Sequence, residues 1–516
     1  VSMGWFNYYG LVFIVILMIP NVVYAVKNKN GFIGVYHNKR VEFFEQAGRF
    51  GCFALMIFNI PYTWVGFWFS YGKEIYLVVN TSSVLAYCLI WIILRNNSDM
   101  VKALLLSIIP SLMFVFSGIT IASIPLFIFS VVFAVCHILI SVKNSASDNN
   151  SPRKTRRKSA VTVFAVLLSF VFVIIGTFGC IILNGQNNLA KLDYMSAREM
   201  IDYCLDKDSK ISVALIENGN VSYHTYCCDG EKNVLYDFEI GSISKTFVGL
   251  LCAKAVNENK LNITDCISKY LDLDASKYYP TIERLLTHTS GYEAYYFENR
   301  MIGNKLAHIS NDFYGISKDK ILSKIKELSL EDKDYPFEYS NFGISVLGLV
   351  LEKIYKEDFT KLVNGYIIDE LKLTNTKVAK QSGNLYNYWK WEDNDGYVPA
   401  GAIVSNVEDM AKYLNVFLSD GLEYASDTYA KIKDINANNK TYEKMNIRLD
   451  GVGMTWMLDD KNDIVWHNGA TTNFNAYMGF TKDKKKGVAV LSNIDPDDKI
   501  SMTVIGVKIL TSASPL

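Results

Sequence analysis

The chain has 516 residues, half of them apolar, which is more than one compact core accommodates and predicts at least two units. Lysine plus arginine total 52 and aspartate plus glutamate total 52, so the formal charge is zero and gives no ground for a nucleic-acid partner. The nine cysteines show no CxxC or Cys/His zinc spacing, so neither a metal centre nor another cofactor is expected; a disulfide from Cys204 to Cys227 or Cys228 stays open, because spacing does not fix pairing.

Residues 1–184 are dominated by long runs of Val, Ile, Leu and Phe, whereas residues 185–516 have ordinary globular polarity. A membrane-spanning helix needs about 20 largely apolar residues. Stretches of that kind lie at Tyr9–Val26, Phe50–Ser70, Ile75–Leu94 and Ala160–Leu183, and the charge-free interval between Lys102 and Lys143 splits into two near Gly118–Ser123. The reading is an all-α membrane bundle of six transmembrane helices: five within 1–142, a basic loop over 143–159, and a sixth over 160–184.

With six spans, Lys27, Lys29, Lys39, Arg40, Arg49, Arg95, Lys102, Lys143 and the Arg153–Lys158 cluster share one side, against Lys73 alone on the other. Basic loops stay in the cytoplasm, so residues 185–516 are expected outside the cell membrane, with the lipid bilayer as a partner. The first apolar stretch has no basic n-region and no Ala-x-Ala site, so a cleavable signal peptide is not expected. None of these spans carries a buried Asp, Glu, Lys or Arg, which argues against a transporter; His137 and Pro110 are read as a packed polar contact and a kink.

After Leu183, Ile211–Glu217 and Val221–Tyr226 flank Asn218–Gly219–Asn220 and predict a hairpin. Helical periodicity follows at Ser242–Asn257, Lys318–Leu328, Asn341–Lys356, Lys361–Glu370 and Val407–Leu418, then strand patterns at Ile464–His467, Asn475–Phe480 and Gly487–Leu491. Strands at both ends with helices between them predict an α+β domain, with an antiparallel sheet assembled from the two termini and a largely helical region beside it.

The chemistry begins at Gly241–Ser242–Ile243–Ser244–Lys245, where a serine opens a helix and a lysine follows one turn later on the same face. A serine hydroxyl needs a partner to take its proton, and a desolvated lysine can serve. Ser-x-x-Lys also occurs at Ser70, Ser151, Ser317 and Ser323, so the pattern gains weight only from Tyr339–Ser340–Asn341, which leads into another helix, and from the single His-x-Gly at His467–Asn468–Gly469.

Together, Ser242-x-x-Lys245, Tyr339-x-Asn341 and His467-x-Gly469 resemble the three signatures of the serine β-lactamase and penicillin-binding-protein superfamily, in its class C β-lactamase, D-aminopeptidase and esterase branch. Leu285–Gly291 and Pro399–Ser405 resemble framework segments of that branch, and the likeness covers roughly Ser209 to Asn493. The membrane half resembles no family known to us. The resemblance implies a β-lactamase/transpeptidase-like fold. It also implies that Ser242 is the nucleophile, that Lys245 and Tyr339 handle protons, and that Asn341 orients Lys245 and the substrate. The N–H groups of Ser242 and Ala470 would form the oxyanion hole, with Gly469 admitting a substrate backbone and His288 belonging to a structural turn. Many relatives in the superfamily have a carboxylate-gripping lysine where His467 stands, and a histidine is mostly neutral near pH 7. The small residue usual after the oxyanion position is Thr471 here.

The resemblance therefore implies a serine hydrolase of a bacterial cell surface, which the apolar runs of the first half would anchor in the membrane. It would act through an acyl-enzyme on an ester or amide: a small molecule, a D-amino acid peptide or a cell-wall polymer. A penicillin-binding D,D-carboxypeptidase or β-lactamase is the second reading, and a ligand-capturing membrane sensor the third.

Overall fold

The structure is a computed structural model that describes residues 6–27, 36–60, 72–94, 100–146 and 194–512, with short gaps at 379–382, 420, 439 and 497–498 and a few isolated positions besides. These residues fall into two compact units, residues 1–187 with 306–308, and 188–305 with 309–516.

The first unit is helical: α1 (Tyr8–Lys27), α2 (Lys39–Ile57), α3 (Gly72–Ile93), α4 (Met100–Thr120) and α5 (Ile124–Ala146). The split between α4 and α5 falls where the sequence placed it, and a Cβ on Gly118 would come within 2.9 Å of the Phe127 backbone nitrogen, so the two helices meet backbone to backbone. The second predicted span, Phe50–Ser70, is corrected. Asn38 caps α2 through its side-chain oxygen, which accepts the N–H groups of Arg40 and Val41, and the helix ends before an extended Phe58. Pro61 disfavours helical geometry at the residue before it, so the helix lies earlier than the apolar run suggested.

That shift carries Glu45 and Arg49 into the bundle. Glu45 is 3% exposed and its Oε1 meets His137 Nδ1 at 2.8 Å and also pairs with Arg49, which corrects the expectation that no acid or base is buried here. Among the described residues four helices are long and apolar enough to cross a membrane: Tyr8–Lys27, Gly72–Ile93, Lys102–Thr120 and Ile124–Asn144. The sixth predicted span, Ala160–Leu183, and the basic segment beyond Ala146 lie outside the described residues.

The second unit is built on a nine-stranded antiparallel sheet, ordered β3-β2-β1-β12-β11-β10-β9-β8-β7. Its central strands are β1 (Lys210–Glu217), β2 (Asn220–Cys227), β10 (Ile464–Ala470), β11 (Asn475–Thr481) and β12 (Lys486–Ser492); β3 (Gly230–Glu231), β7 (Lys433–Asp434), β8 (Gly451–Val452) and β9 (Met457–Asp459) finish the edges. The first strand pairs with the last, Val213 opposite Val490, so the sheet is closed by the two ends of the domain as the pattern predicted.

Both faces of this sheet are covered, and the strands divide their side chains by alternation. Ile211, Val213, Leu215, Tyr477, Val488 and Val490 pack under the terminal helices α6 (Ala197–Cys204) and α10 (Met502–Thr511). Ala214, Ile216, Ala476, Met478, Phe480, Ala489 and Leu491 face the larger helical layer, which contains α7 (Ser244–Asn257), α8 (Asn341–Tyr355) and α9 (Val407–Leu418). This two-sided burial explains why β11 and β12 read as nearly unbroken apolar runs. A small second sheet, β4 (Phe238–Glu239), β6 (Ile403–Ser405) and β5 (Lys377–Val378), holds the chain just before Ser242. Cys204 and Cys227 are buried, Cys228 is exposed, and all three are free thiols.

Candidate active site

Ser242 lies in a single 3₁₀ turn, Gly241–Ile243, that feeds directly into α7. Two glycines permit this placement. Gly241 has φ +50°, and a Cβ there would stand 2.6 Å from the Ala470 nitrogen; a Cβ on Gly469 would fall 1.9 Å from the Ile240 carbonyl oxygen. The nucleophile turn and the end of β10 are thus in backbone contact. Gly469 therefore has to be small for the protein's own Ile240 carbonyl, whatever a substrate requires.

Thr471 N–H donates to the Phe474 carbonyl at 2.9 Å. In an antiparallel ladder neighbouring residues alternate the side to which their N–H groups point, so Ala470 aims its N–H away from β11. That is the side where Gly241 and Ser242 lie, because β9 pairs only with Ile464–Trp466.

Lys245 is fully buried, and its Nζ makes two hydrogen bonds, 2.9 Å to Ser242 Oγ and 2.7 Å to the Ala400 carbonyl oxygen. Nothing anionic pairs with it among the described residues, and desolvation drives its pKa well below the ordinary lysine value. Lys245 Nζ also sits 4.9 Å from the centroid of the Tyr339 ring. Burial raises the Tyr339 phenol above the usual tyrosine value, and the nearby Ser242 hydroxyl offsets only part of that rise. The Tyr339 hydroxyl is buried and has no hydrogen bond of ordinary geometry.

His467 is buried on β10 beside them, 6.1 Å from Tyr339 ring to ring. Its Nδ1 donates to the Asn468 carbonyl at 2.6 Å, leaving Nε2 as a buried lone pair with no partner. Burial, reinforced by Lys245, pushes its pKa down to about 3, so the ring is neutral across physiological pH. His288 stands on the other side of Tyr339, 4.6 Å away ring to ring. Its Nδ1 accepts the Ser340 N–H at 3.1 Å and its carbonyl accepts the Glu338 N–H at 2.8 Å, so this one residue pins the backbone on both sides of Tyr339. Its own backbone is left-handed, φ +55°, as the structural-turn reading implies.

Asn341 is the first residue of α8, which Ser340 caps by accepting the Gly343 N–H at 2.8 Å. Ser242, Lys245, Tyr339, His467, Gly469 and Ala470 therefore converge. Asn341 follows the cap directly after Tyr339, and the expected Asn341–Lys245 hydrogen bond is not formed; Lys245 donates to the Ala400 carbonyl. The sequence pointed to the Pro399–Ala400–Gly401 segment only as framework, since a backbone acceptor leaves no side-chain signature. It also gave no role to Glu239, whose carboxyl is 4% exposed and accepts the Thr471 hydroxyl at 2.6 Å and the Trp389 N–H at 2.5 Å.

A serine in the turn that opens a helix, set against a desolvated lysine with a phenol and a neutral imidazole in one water-poor cleft, is the arrangement that serine acyl transfer requires. Residues 209–504 match the Beta-lactamase family, and the chain belongs to that family, whose fold is that of serine hydrolases. The chain is 22% identical over 336 residues to Protein flp of Staphylococcus aureus strain NCTC 8325 / PS 47, an alignment covering 58% of this chain and 64% of that protein. It thus spans less than two thirds of the length of its staphylococcal relatives. A Beta-lactamase of Psychrobacter immobilis is 24% identical over 366 residues, 58% of this chain and 84% of that protein. Among solved structures, the Beta-lactamase/D-alanine carboxypeptidase of Yersinia pestis covers 62% of this chain and 97% of its own, at TM-score 0.48 and 18% identity. The D-stereospecific amidohydrolase of Streptomyces sp. covers 60% and 96%, also at TM-score 0.48 and 18% identity.

Proposed function

We propose that the second unit is a serine hydrolase that cleaves esters or amides through an acyl-enzyme on Ser242, held at a bacterial cell membrane by the apolar helices of the first unit. The observation that carries the reading is the 2.9 Å contact between Ser242 Oγ and a fully buried lysine that has no counter-ion among the described residues. As a neutral amine, Lys245 donates to the Ala400 carbonyl and turns its lone pair toward the Ser242 hydroxyl. It takes the serine proton as Oγ bonds to the substrate carbonyl carbon.

Lys245 rather than Tyr339 is the group present as a free base, because burial lowers the amine, which sheds its proton, and raises the phenol, which keeps its own. Tyr339 enters as its protonated form: it donates its proton to the departing amine or alkoxide and recovers one from Lys245. Water then reverses these transfers to release the acyl group. The oxyanion of the tetrahedral intermediate falls to the N–H groups of Ser242 and Ala470, a contribution of about 3 kcal/mol per donor.

His467 shapes the substrate. A neutral imidazole offering a lone pair gives a carboxylate no cation to bind, so esters, amides, D-amino acid peptides and D-alanyl esters of wall polymers are preferred over β-lactams and free C-terminal carboxylates. The test is a fluorophosphonate probe on membranes carrying the full chain, followed by steady-state turnover of a chromogenic ester and a D-aminoacyl amide. Labelling that Ser242→Ala abolishes, together with continuous turnover, supports the reading. Labelling that persists in Ser242→Ala defeats it, and a single stoichiometric acylation without turnover points to a ligand-capturing sensor instead.

A further inference from the structure

Glu239 stands three residues before the nucleophile, on β4, and its carboxyl is the meeting point of three separate parts of the chain. One oxygen accepts the Thr471 hydroxyl at 2.6 Å and the other accepts the Trp389 backbone N–H at 2.5 Å. Thr471 directly follows Ala470, and the Gly241–Ala470 backbone contact leaves no slack there. The second link extends further: the Trp389 indole N–H donates to Thr472 Oγ1 at 3.0 Å, and the Thr472 hydroxyl donates to the Ser310 carbonyl at 2.8 Å. Beyond Trp389 runs an aromatic wall, with Phe313 at 6.3 Å and Trp391 at 5.9 Å between ring centroids.

A carboxyl buried in this way is unusual for its lack of a cation. No ion pair reaches Glu239 among the described residues, and burial pushes its pKa up to about 7 despite the two hydrogen bonds. Its titratable neighbours are Tyr388, from the segment carrying Trp389, and Asp237, two residues earlier and just before β4; the β10–β11 turn and β6 bring none. A leucine or glutamine would fill the same space at less cost if only packing were needed.

We propose that Glu239 is a positioning residue whose charge state sets the alignment of the oxyanion strand and of the Trp389 wall against Ser242. Ionised, it accepts from both donors at once and fixes Ala470 and Trp389 in register. Protonated, its new O–H needs an acceptor. The Trp389 N–H cannot supply one, so the Thr471 hydroxyl turns from donor to acceptor and the strand end shifts with it. Because the acid is raised in the folded state, the fold binds this proton more tightly than the unfolded chain. Stability from this group is therefore greatest in acid and falls as pH rises through about 7, while alignment improves over the same interval.

This inference rests on the serine-hydrolase reading, and the experiment separates the two. The rate of fluorophosphonate acylation is followed from pH 5 to 9 on the full-length membrane protein, wild type against Glu239→Gln and Thr471→Val. Glutamine keeps the Trp389 hydrogen bond and imitates the protonated acid. E239Q is expected to lose the limb with midpoint near 7 and to run about tenfold below wild type at pH 8. Thr471→Val removes a bond that favours the ionised acid, so its limb moves to higher pH. With a chromogenic ester, kcat carries the Ala470 part of the loss and KM the Trp389 part. An E239Q profile that keeps the wild-type limb and rate overturns the inference, as does an unmoved limb in Thr471→Val. Absence of Ser242 labelling in wild type at every pH removes the hydrolase reading itself.

Discussion

Two clusters of buried polar groups in this molecule have opposite economies. In the helical unit Glu45, Arg49 and His137 satisfy one another, with one carboxylate oxygen taking both partners. In the second unit the Tyr339 hydroxyl, His467 Nε2 and His288 Nε2 are buried with no hydrogen bond of ordinary geometry among the described residues. Buried polar groups are normally hydrogen-bonded, and an orphan costs about 1–3 kcal/mol. Three orphans within one cleft are therefore a cost that packing does not explain, whereas a closed trio between α2 and α5 is explained by holding two helices together. The difference separates a site from a clasp.

The largest effect that tests this contrast is at Lys245. Lys245→Met is expected to lower the acylation rate about 10³-fold, near the middle of the range for a general base, in single-turnover measurements with an activated ester. The same substitution should stabilise the domain at neutral pH. A lysine lowered in the folded state binds fewer protons there than in the unfolded chain, so wild-type stability climbs as pH rises toward the ordinary lysine value, and Met removes that slope. A thermal-melt series against pH reads the sign directly.

Tyr339→Phe comes next. It is expected to cost about 10²-fold on amides and much less on aryl esters, whose leaving groups need no proton, so the ratio of the two rates is the useful quantity. Equal losses on both would mean that the phenol positions rather than protonates. His467→Lys restores a cation and should raise the preference for a carboxylate-bearing substrate over its methyl ester about tenfold, or about 1.4 kcal/mol. The smallest effect belongs to the clasp. His137→Phe should leave turnover of a soluble ester within about twofold of wild type while lowering the thermal midpoint of the detergent-solubilised protein, as expected for an interhelical hydrogen bond of about 1 kcal/mol. Loss of turnover there would abolish the distinction drawn above.

The sequence was most legible where chemistry is carried by side chains at fixed spacing. Ser242, Lys245, Tyr339 and His467 could be named because three short motifs, each weak alone, occur together in one chain order, and the hairpin and late strands followed from turn residues and alternation. What could not be read depended on backbone atoms and on the third dimension. The Ala400 carbonyl that replaces the Asn341–Lys245 bond has no residue signature, and Gly469 looks the same whether it makes room for a substrate or for Ile240. Apolar content alone puts the second helix too late in the chain, because the cap at Asn38 and the proline at 61 outweigh it. That error also hid Glu45, which looks solvent-exposed in sequence and is 3% exposed in the bundle.

The account stands on the serine–lysine contact, and one measurement tests it most directly: intact-mass and peptide-level mass spectrometry after fluorophosphonate treatment of wild type, Ser242→Ala and Lys245→Met. The account predicts a single adduct on the peptide containing Ser242, none in the alanine variant, and a rate of formation lowered about 10³-fold in the methionine variant. An adduct that forms on Ser242 as fast without Lys245 as with it would contradict the assignment of the buried amine as the base.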